Sequence, residues 1–405
     1  MKLLNLKQLG PGLIFAGAAI GVSHLVQSTR AGADFGLGLI WALLLVNLCK
    51  YPFFQFGPRY SLATGESLLD GYLKMGKGLL WIYTIITFAT MFTIQMAVTI
   101  VTAGIASSLF GDFITIEGWT LIILLICFGI LIKGRYAVLD KLMKIIVIVL
   151  TISTLVAVII ALNNTAQKLS WVQKIPETTL EISFLIAFMG WMPAPLDISI
   201  WHSLWALEKK KENNDYSVKS SLFDFNVGYI ATIFIGLCFI LLGTLVMFHS
   251  GESFSGSAGL FANQLISMYT ENLGNWAYVV IGVAAFTTMF STTLTTLDAS
   301  PRSMTKAFEL LFNTKSKKGY LLWMILLILG TLAILFLLKS EMVWLITLAT
   351  ILSFLTAPFY AIVNYILISG KHTPKEFRPS LKMHVISLIG IAFLLGFSFW
   401  YLTTF

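Results

Sequence analysis

The sequence predicts an all-α polytopic membrane protein. It should have about eleven transmembrane helices, built as two five-helix repeats of opposite orientation plus one extra helix. Three observations lead there. The 405 residues are 57% hydrophobic and only 11% charged, with a mean hydropathy of +0.86, whereas a soluble domain carries roughly 25% charged residues. Apolar runs long enough to cross a ~30 Å hydrocarbon core recur from end to end. The first and sixth of these runs also carry helix-breaking sequence in their middles.

The spans are expected at 11–33, 36–56, 79–108, 119–133, 138–162, 181–206, 225–249, 274–297, 319–338, 341–369 and 382–402. The basic residues test that division. Taking Lys50, Arg59, Lys74 and Lys77 with the second connection, 23 of the 27 Lys and Arg fall on one side. The other side holds only Arg30, Lys168, Lys174 and Lys339. Because the side rich in Lys and Arg stays inside, this predicts an inner-membrane protein with a cytoplasmic N-terminus and an extracytoplasmic C-terminus. The charge of +8 thus follows topology and implies no nucleic-acid partner; the partner is the lipid bilayer. The stretches at 57–78, 207–224 and 250–273 are too short to fold alone, so residues 1–405 read as one transmembrane domain. Its N-terminus is read as mature chain.

The first span reads GPGLIFAGAAIGVSHLVQSTRAG, with Gly17 and Gly21 ahead of Ser23, His24, Gln27 and Ser28. The sixth reads ISFLIAFMGWMPAPLDISIWHSLW, with Gly190, Pro193 and Pro195 ahead of Asp197. Two prolines two residues apart remove two backbone donors, and non-helical backbone at membrane depth survives only against protein or a wet cavity. Breaks five helices apart indicate repeats at about 10–162 and 181–369, an extra helix at 382–402, and a substrate held between the breaks. Secondary transport by alternating access follows, and enzyme activity does not. No nucleophile elbow or phosphate loop is present, no cofactor is implied, and Cys49, Cys127 and Cys238 lack metal-site spacing and read as small buried hydrophobes.

Candidate residues come from these breaks and the spans around them. His24 is an ionisable group at membrane depth, functional unless it merely bonds a neighbouring helix. Asp197 can cap the second half of the sixth span or offer a carboxylate to a cation; the cap is the favoured reading. Thr288, Ser291, Thr292, Thr295 and Thr296 form a polar stripe in which Thr288 and Thr292 are substrate candidates, although helix packing also explains it. Gln95 serves either pocket or helix–helix contact. Asp298 and Arg302, four apart, should pair. Glu66, Asp70 and Arg59 should cluster at the cytoplasmic ends, and Lys209, Lys210 and Lys211 should lie solvated near acidic headgroups.

Four stretches in order carry a family resemblance: GPGLIFAGAAIG, PRYSLATGESLLDGY from Pro58 to Tyr72, Met192-Pro193, and FSTTLTTLDASPR. They resemble the NRAMP family of metal-ion transporters, in particular its divergent prokaryotic members, which implies a LeuT-like fold. The resemblance also implies a metal site, an Asp-Pro-Gly-Asn stretch in the first break and Met-Pro-His in the sixth. Those positions here are Gly21, Val22, Ser23 and His24, then Met192, Pro193 and Ala194, so the carboxylate is gone and Met192 alone would remain as a soft ligand. The family's proton route uses acidic residues in the third span, and this third span has no charge between Trp81 and Phe110.

Divalent ions want hard oxygen or soft sulfur and nitrogen ligands, usually with net negative charge. Without the carboxylate, the positive end of the half-helix after the first break favours an anion instead. Residues 24, 27 and 28 are expected on one helical face, with Arg30 at the entrance. The expected cargo is therefore a small anion such as bicarbonate, with a manganese- or iron-type cation as the alternative, proton-coupled or uncoupled. The expected binding set is Gly21, Val22, Ser23, His24, Gln27, Ser28, Gln95, Gly190, Met192, Ala194, Asp197, Thr288 and Thr292. A coupling ion, Na⁺ or H⁺, stays open.

Overall fold

The computed structural model describes residues 9–164, 169–248, 258–274, 276–338 and 342–404. The expected basic residues Lys2, Lys7, Lys168 and Lys339 lie outside them. The described chain is helical almost throughout. Eight of its helices are long and apolar enough to cross a membrane, and Ile116–Ile132 and Thr179–Trp191 are shorter apolar stretches.

The first span is broken as expected. α1 (Pro11–Ala19) starts with Pro11 at its first turn, where a missing N–H costs nothing. After Ile20 and Gly21 the helix restarts as a π-helical turn, Ser23–Ser28, that runs into α2 (Thr29–Phe35). Then come α3 (Ile40–Thr64), the short α4 (Leu68–Met75) and α5 (Lys77–Phe110). Ser67 and Asp70 form a capping box that starts α4 inside a stretch read from sequence as plain connection.

α6 (Ile116–Asn164) holds the expected fourth and fifth spans in one helical stretch of 49 residues. Its apolar parts, Ile116–Ile132 and Tyr136–Asn163, do fall where the two spans are expected.

The sixth span breaks between α7 (Thr179–Trp191) and α8 (Ile198–Glu212), across a cis Met192–Pro193 bond. A Thr178–Glu181 capping box opens α7. The remainder is α9 (Val218–Met247), α10 (Ala258–Leu273), α11 (Ala277–Phe312), α12 (Gly319–Leu338), α13 (Met342–Ser369) and α14 (Leu381–Thr404). α11 continues well past the expected end of the eighth span, so Asp298 and Arg302 lie inside a helix and not at its exit.

Both halves of the broken first span lie against α9 with glycine at the contacts. A Cβ on Gly228 would come 2.0 Å from the Gly12 carbonyl oxygen, and one on Gly12 would come 2.1 Å from that of Asp224. Beyond the break, a Cβ on Gly32 would meet the Ile240 oxygen at 2.1 Å and one on Gly243 the Thr29 oxygen at 2.2 Å. Only a residue without a side chain permits this approach.

Polar groups gather at one end. Asp298, fully buried, accepts from Trp205 Nε1 at 3.0 Å, the Tyr320 hydroxyl at 2.8 Å and Arg302 at 2.7 Å. Glu66 pairs with Lys74 at 2.5 Å and Asp70 with Lys306 at 2.8 Å. Arg59 joins neither pair, which corrects the expected three-residue cluster. Lys209 is corrected as well: it is buried and pairs with Asp140 at 2.9 Å, while Lys210 and Lys211 are exposed.

Candidate functional site

A helix interrupted at membrane depth leaves carbonyls without their usual i+4 donors. At the sixth break those carbonyls point at Lys50. Its Nζ donates to Met189 O at 3.0 Å, Gly190 O at 2.6 Å and Met192 O at 3.0 Å, with Ala194 O at 3.5 Å. An ammonium has three protons, and three short contacts use them. Lys50 is completely buried in the middle of α3. Counting it with the cytoplasmic connection is therefore corrected. A lone Lys inside an apolar run was the signal that could have found it, because an ionisable residue at that depth is seldom idle.

At the first break the loose carbonyls belong to Gly17 and Ile20, and α11 meets them. Ser291 Oγ lies 2.9 Å from Gly17 O, and Thr292 Oγ1 lies 3.3 Å from Gly17 O and 3.2 Å from Ile20 O. Ser23 Oγ also lies 3.2 Å from Pro193 O, which brings the two breaks side by side.

Between the breaks lies a cavity of about 30 Å³. Of the expected binding residues, Gly21, Val22, Ser23, Ala194 and Thr292 line it. Residues outside that expected set complete the wall, chiefly Thr296 of the polar stripe and Pro195 of the break, with Ile94, Trp191 and Trp201, which sequence reasoning missed. The indole N–H of Trp201 is buried and has no acceptor among the described residues. Trp191, in contrast, donates to Ser353 Oγ at 2.9 Å.

The other candidates lie elsewhere. His24 is fully buried, with Nε2 3.0 Å from Thr232 O on α9 and Nδ1 2.8 Å from Ser23 Oγ. A carbonyl only accepts, so Nε2 carries the proton and Nδ1 accepts from Ser23. The expected common face of residues 24, 27 and 28 does not form, because this stretch is a π-turn: Ser28 Oγ bonds Ser23 O, five residues back. Gln27 and Ser28 are buried outside the cavity wall. Gln95 joins α5 to α11, accepting from Thr296 Oγ1 at 2.8 Å and donating to Thr293 O at 3.3 Å. Thr288 bonds back to Ala284 O within its own helix. The Gly190 carbonyl serves Lys50, and Met192 packs in an apolar cluster with Leu43, Val46 and Phe188. Arg30 stacks on Phe184 at 5.3 Å.

Asp197 corrects the expected cap. It starts α8 in helical conformation and its side chain makes no capping bond. Its Oδ1 is buried without a hydrogen bond among the described residues, beside a space of about 10 Å³ that Thr90, Ser353 and Tyr360 also border. The two spaces share Ile94 and Pro195 in their walls. Among the described residues no group of three or more His, Cys, Asp or Glu comes together.

Comparison with known proteins fits this architecture. The sequence model of the natural resistance-associated macrophage protein-like family, Nramp, matches residues 12–404. An uncharacterised protein of Pasteurella multocida is 37% identical over 398 residues, covering 96% of this chain and 90% of the relative. Among solved structures, a manganese transporter of Eremococcus coleocola superposes with a TM-score of 0.75 at 14% identity, covering 97% of this chain and 85% of the other. The transporter MhsT, solved with L-phenylalanine, superposes with a TM-score of 0.68 at 14% identity, covering 98% and 99%. At such identities the likeness speaks for the fold alone. With the family match across nearly its whole length, this chain belongs to the Nramp family and is a multi-pass membrane protein, a secondary transporter of the Nramp type and not an enzyme.

Proposed function

We propose that this transporter carries a small inorganic oxyanion, with bicarbonate as the first candidate, across the inner membrane by alternating access of the two halves at 10–162 and 181–369. The observation that carries the reading is Lys50. The carbonyls opened by the sixth break, which a metal cation would need, are taken by a fixed ammonium. That charge sits behind Ala194 in the cavity wall and repels a divalent cation while attracting an anion. The half-helix that restarts after Gly21 adds the positive end of its dipole and its first N–H groups. Trp201 adds a donor without an acceptor.

The metal alternative draws on the manganese transporter's matching fold and on Asp197. It lacks a soft ligand at the cavity, because Met192 is buried in an apolar cluster. Uptake into liposomes containing the purified chain separates the two. Labelled bicarbonate should accumulate above empty vesicles, and manganese should not. Manganese uptake matching that of an established metal transporter in parallel vesicles would sink the anion reading. Arg30→Ala should weaken apparent anion affinity if Arg30 acts at the entrance.

A further inference from the structure

Where α4, α5 and α13 meet, a groove of about 640 Å³ opens on the outside of the bundle. Its floor is apolar: Leu79 and Ile82 come from α5, and Phe359, Ile362 and Ile366 from α13. Ile82 is 45% and Ile366 54% exposed, and both belong to helices apolar enough to cross a membrane. Side chains of that kind in such helices face hydrocarbon. One end of the groove is different in kind. Lys74, Lys371 and His372 rim it, and its wall includes no acidic residue.

The rim stands where the spanning helices end. Lys371 and His372 follow closely on the end of α13 at Ser369, and Lys74 lies just ahead of α5. From Phe359 to Ser369 the helix rises about 15 Å, half of a ~30 Å hydrocarbon core. The apolar floor thus runs the depth of one leaflet and finishes on positive charge. Lys74 is already paired with Glu66. The side chains of Lys371 and His372 have no partner among the described residues. A second space near this end is bordered by acidic and basic residues together, and Lys306 pairs there with Asp70. It lacks the unbalanced charge of the groove.

An apolar trough with a cationic mouth matches an amphiphile that carries negative charge at one end. We propose that the groove binds an anionic phospholipid, with its phosphate at Lys371 and His372 and an acyl chain along Ile82, Ile362 and Phe359. Basic pockets between spanning helices take such headgroups, and the free charge of Lys371 gives the preference over a zwitterionic lipid. The chain braces more than the surface. Phe359 meets Tyr72 edge-on at 6.5 Å between ring centroids, and the Tyr72 hydroxyl donates to Asn364 Oδ1 at 2.7 Å. Asn364 Nδ2 in turn donates to Ser199 Oγ at 2.9 Å, in the first turn of α8. A lipid seated in the groove therefore supports the half-helix that follows the sixth break.

The test reads lipid binding and needs no cargo, so it stands or falls apart from the anion reading. Purified full-length protein, delipidated in detergent, is titrated with phosphatidylglycerol or with phosphatidylethanolamine of the same acyl chains. Native mass spectrometry counts bound lipid, and thermal unfolding follows Tm. Phosphatidylglycerol should bind at least about tenfold tighter, and at saturation should raise Tm by roughly 2–5 °C. Lys371→Gln, at an exposed position, should weaken that binding roughly fivefold, the worth of one basic residue near a headgroup. Lys375→Gln, exposed and outside the groove wall, should leave it unchanged. Equal binding of the two lipids would overturn the proposal. So would equal losses in the two variants, which would mean that only the overall charge of this end matters. Glycerol 3-phosphate should give no shift in Tm; a shift matching that of the lipid would mean a site for free phosphate and would likewise overturn it.

Discussion

Lys50 lies in the run WALLLVNLCKYPFF, with apolar residues on both sides, and its ammonium closes the sixth break from across the bundle. Lys50→Met would leave three buried carbonyls without donors, at about 1–3 kcal/mol each. It would also remove the positive charge behind Ala194. Anion uptake should fall at least about tenfold even in the fraction that purifies as folded protein, which gel filtration and parallel uptake assays would establish. Trp201→Phe is a milder probe, since it removes the indole N–H and part of the ring while keeping an aromatic wall. Apparent affinity for the anion should weaken roughly 2–10-fold, the worth of one hydrogen bond, and an unchanged value would remove Trp201 from the binding set. At this scale the sequence showed which residues are polar at membrane depth but not which way they face. His24 follows a π-turn toward α9, and Gln95 spans α5 and α11. Trp201, whose N–H meets no acceptor among the described residues, looks in the sequence like any other interfacial tryptophan.

The interrupted helices were far more legible than the residues around them. Gly and Pro mark a break whatever the tertiary context, and both breaks fall where GAAIG and MPAP occur. That the connection between the fourth and fifth spans is itself helical was not legible, because a cluster of basic residues resembles a loop. Nor were α4 and α10, short helices in stretches that hydropathy passes over. The glycine contacts of α9 belong to this scale too. Gly228→Ala puts a methyl 2.0 Å from the Gly12 oxygen, both atoms being backbone or bound to it, so α1 and α9 must separate. A loss of about 1–3 kcal/mol is expected, as for overpacking in a well-filled core. A lower Tm in detergent would register it, and an unchanged Tm would mean that the two helices yield freely.

Across the whole molecule, one end is bound together by charge. Asp298 alone holds α8, α11 and α12 through Trp205, Arg302 and Tyr320. Around it a space of about 800 Å³ is bordered by Glu66, Asp70, Glu208, Lys210, Lys211 and Lys306. Asp298→Asn would leave Arg302 buried with a weaker partner, costing up to about 3–5 kcal/mol. A fall in Tm should accompany it, together with faster labelling of cysteines introduced along the inner wall of that space. Asp298 and Arg302 were legible as a pair from their spacing alone, whereas Trp205 and Tyr320 come from other helices and leave no such trace. The attachment of the first span to α9 bears on how such a molecule moves. Glycine presses against backbone on both sides of the break, at Gly12 with Gly228 and at Gly32 with Gly243. An elbow bend at Gly21 would have to peel one of those two contacts open. A swing that preserves both must take α9 along, so that the first span and α9 would move as one two-helix lever.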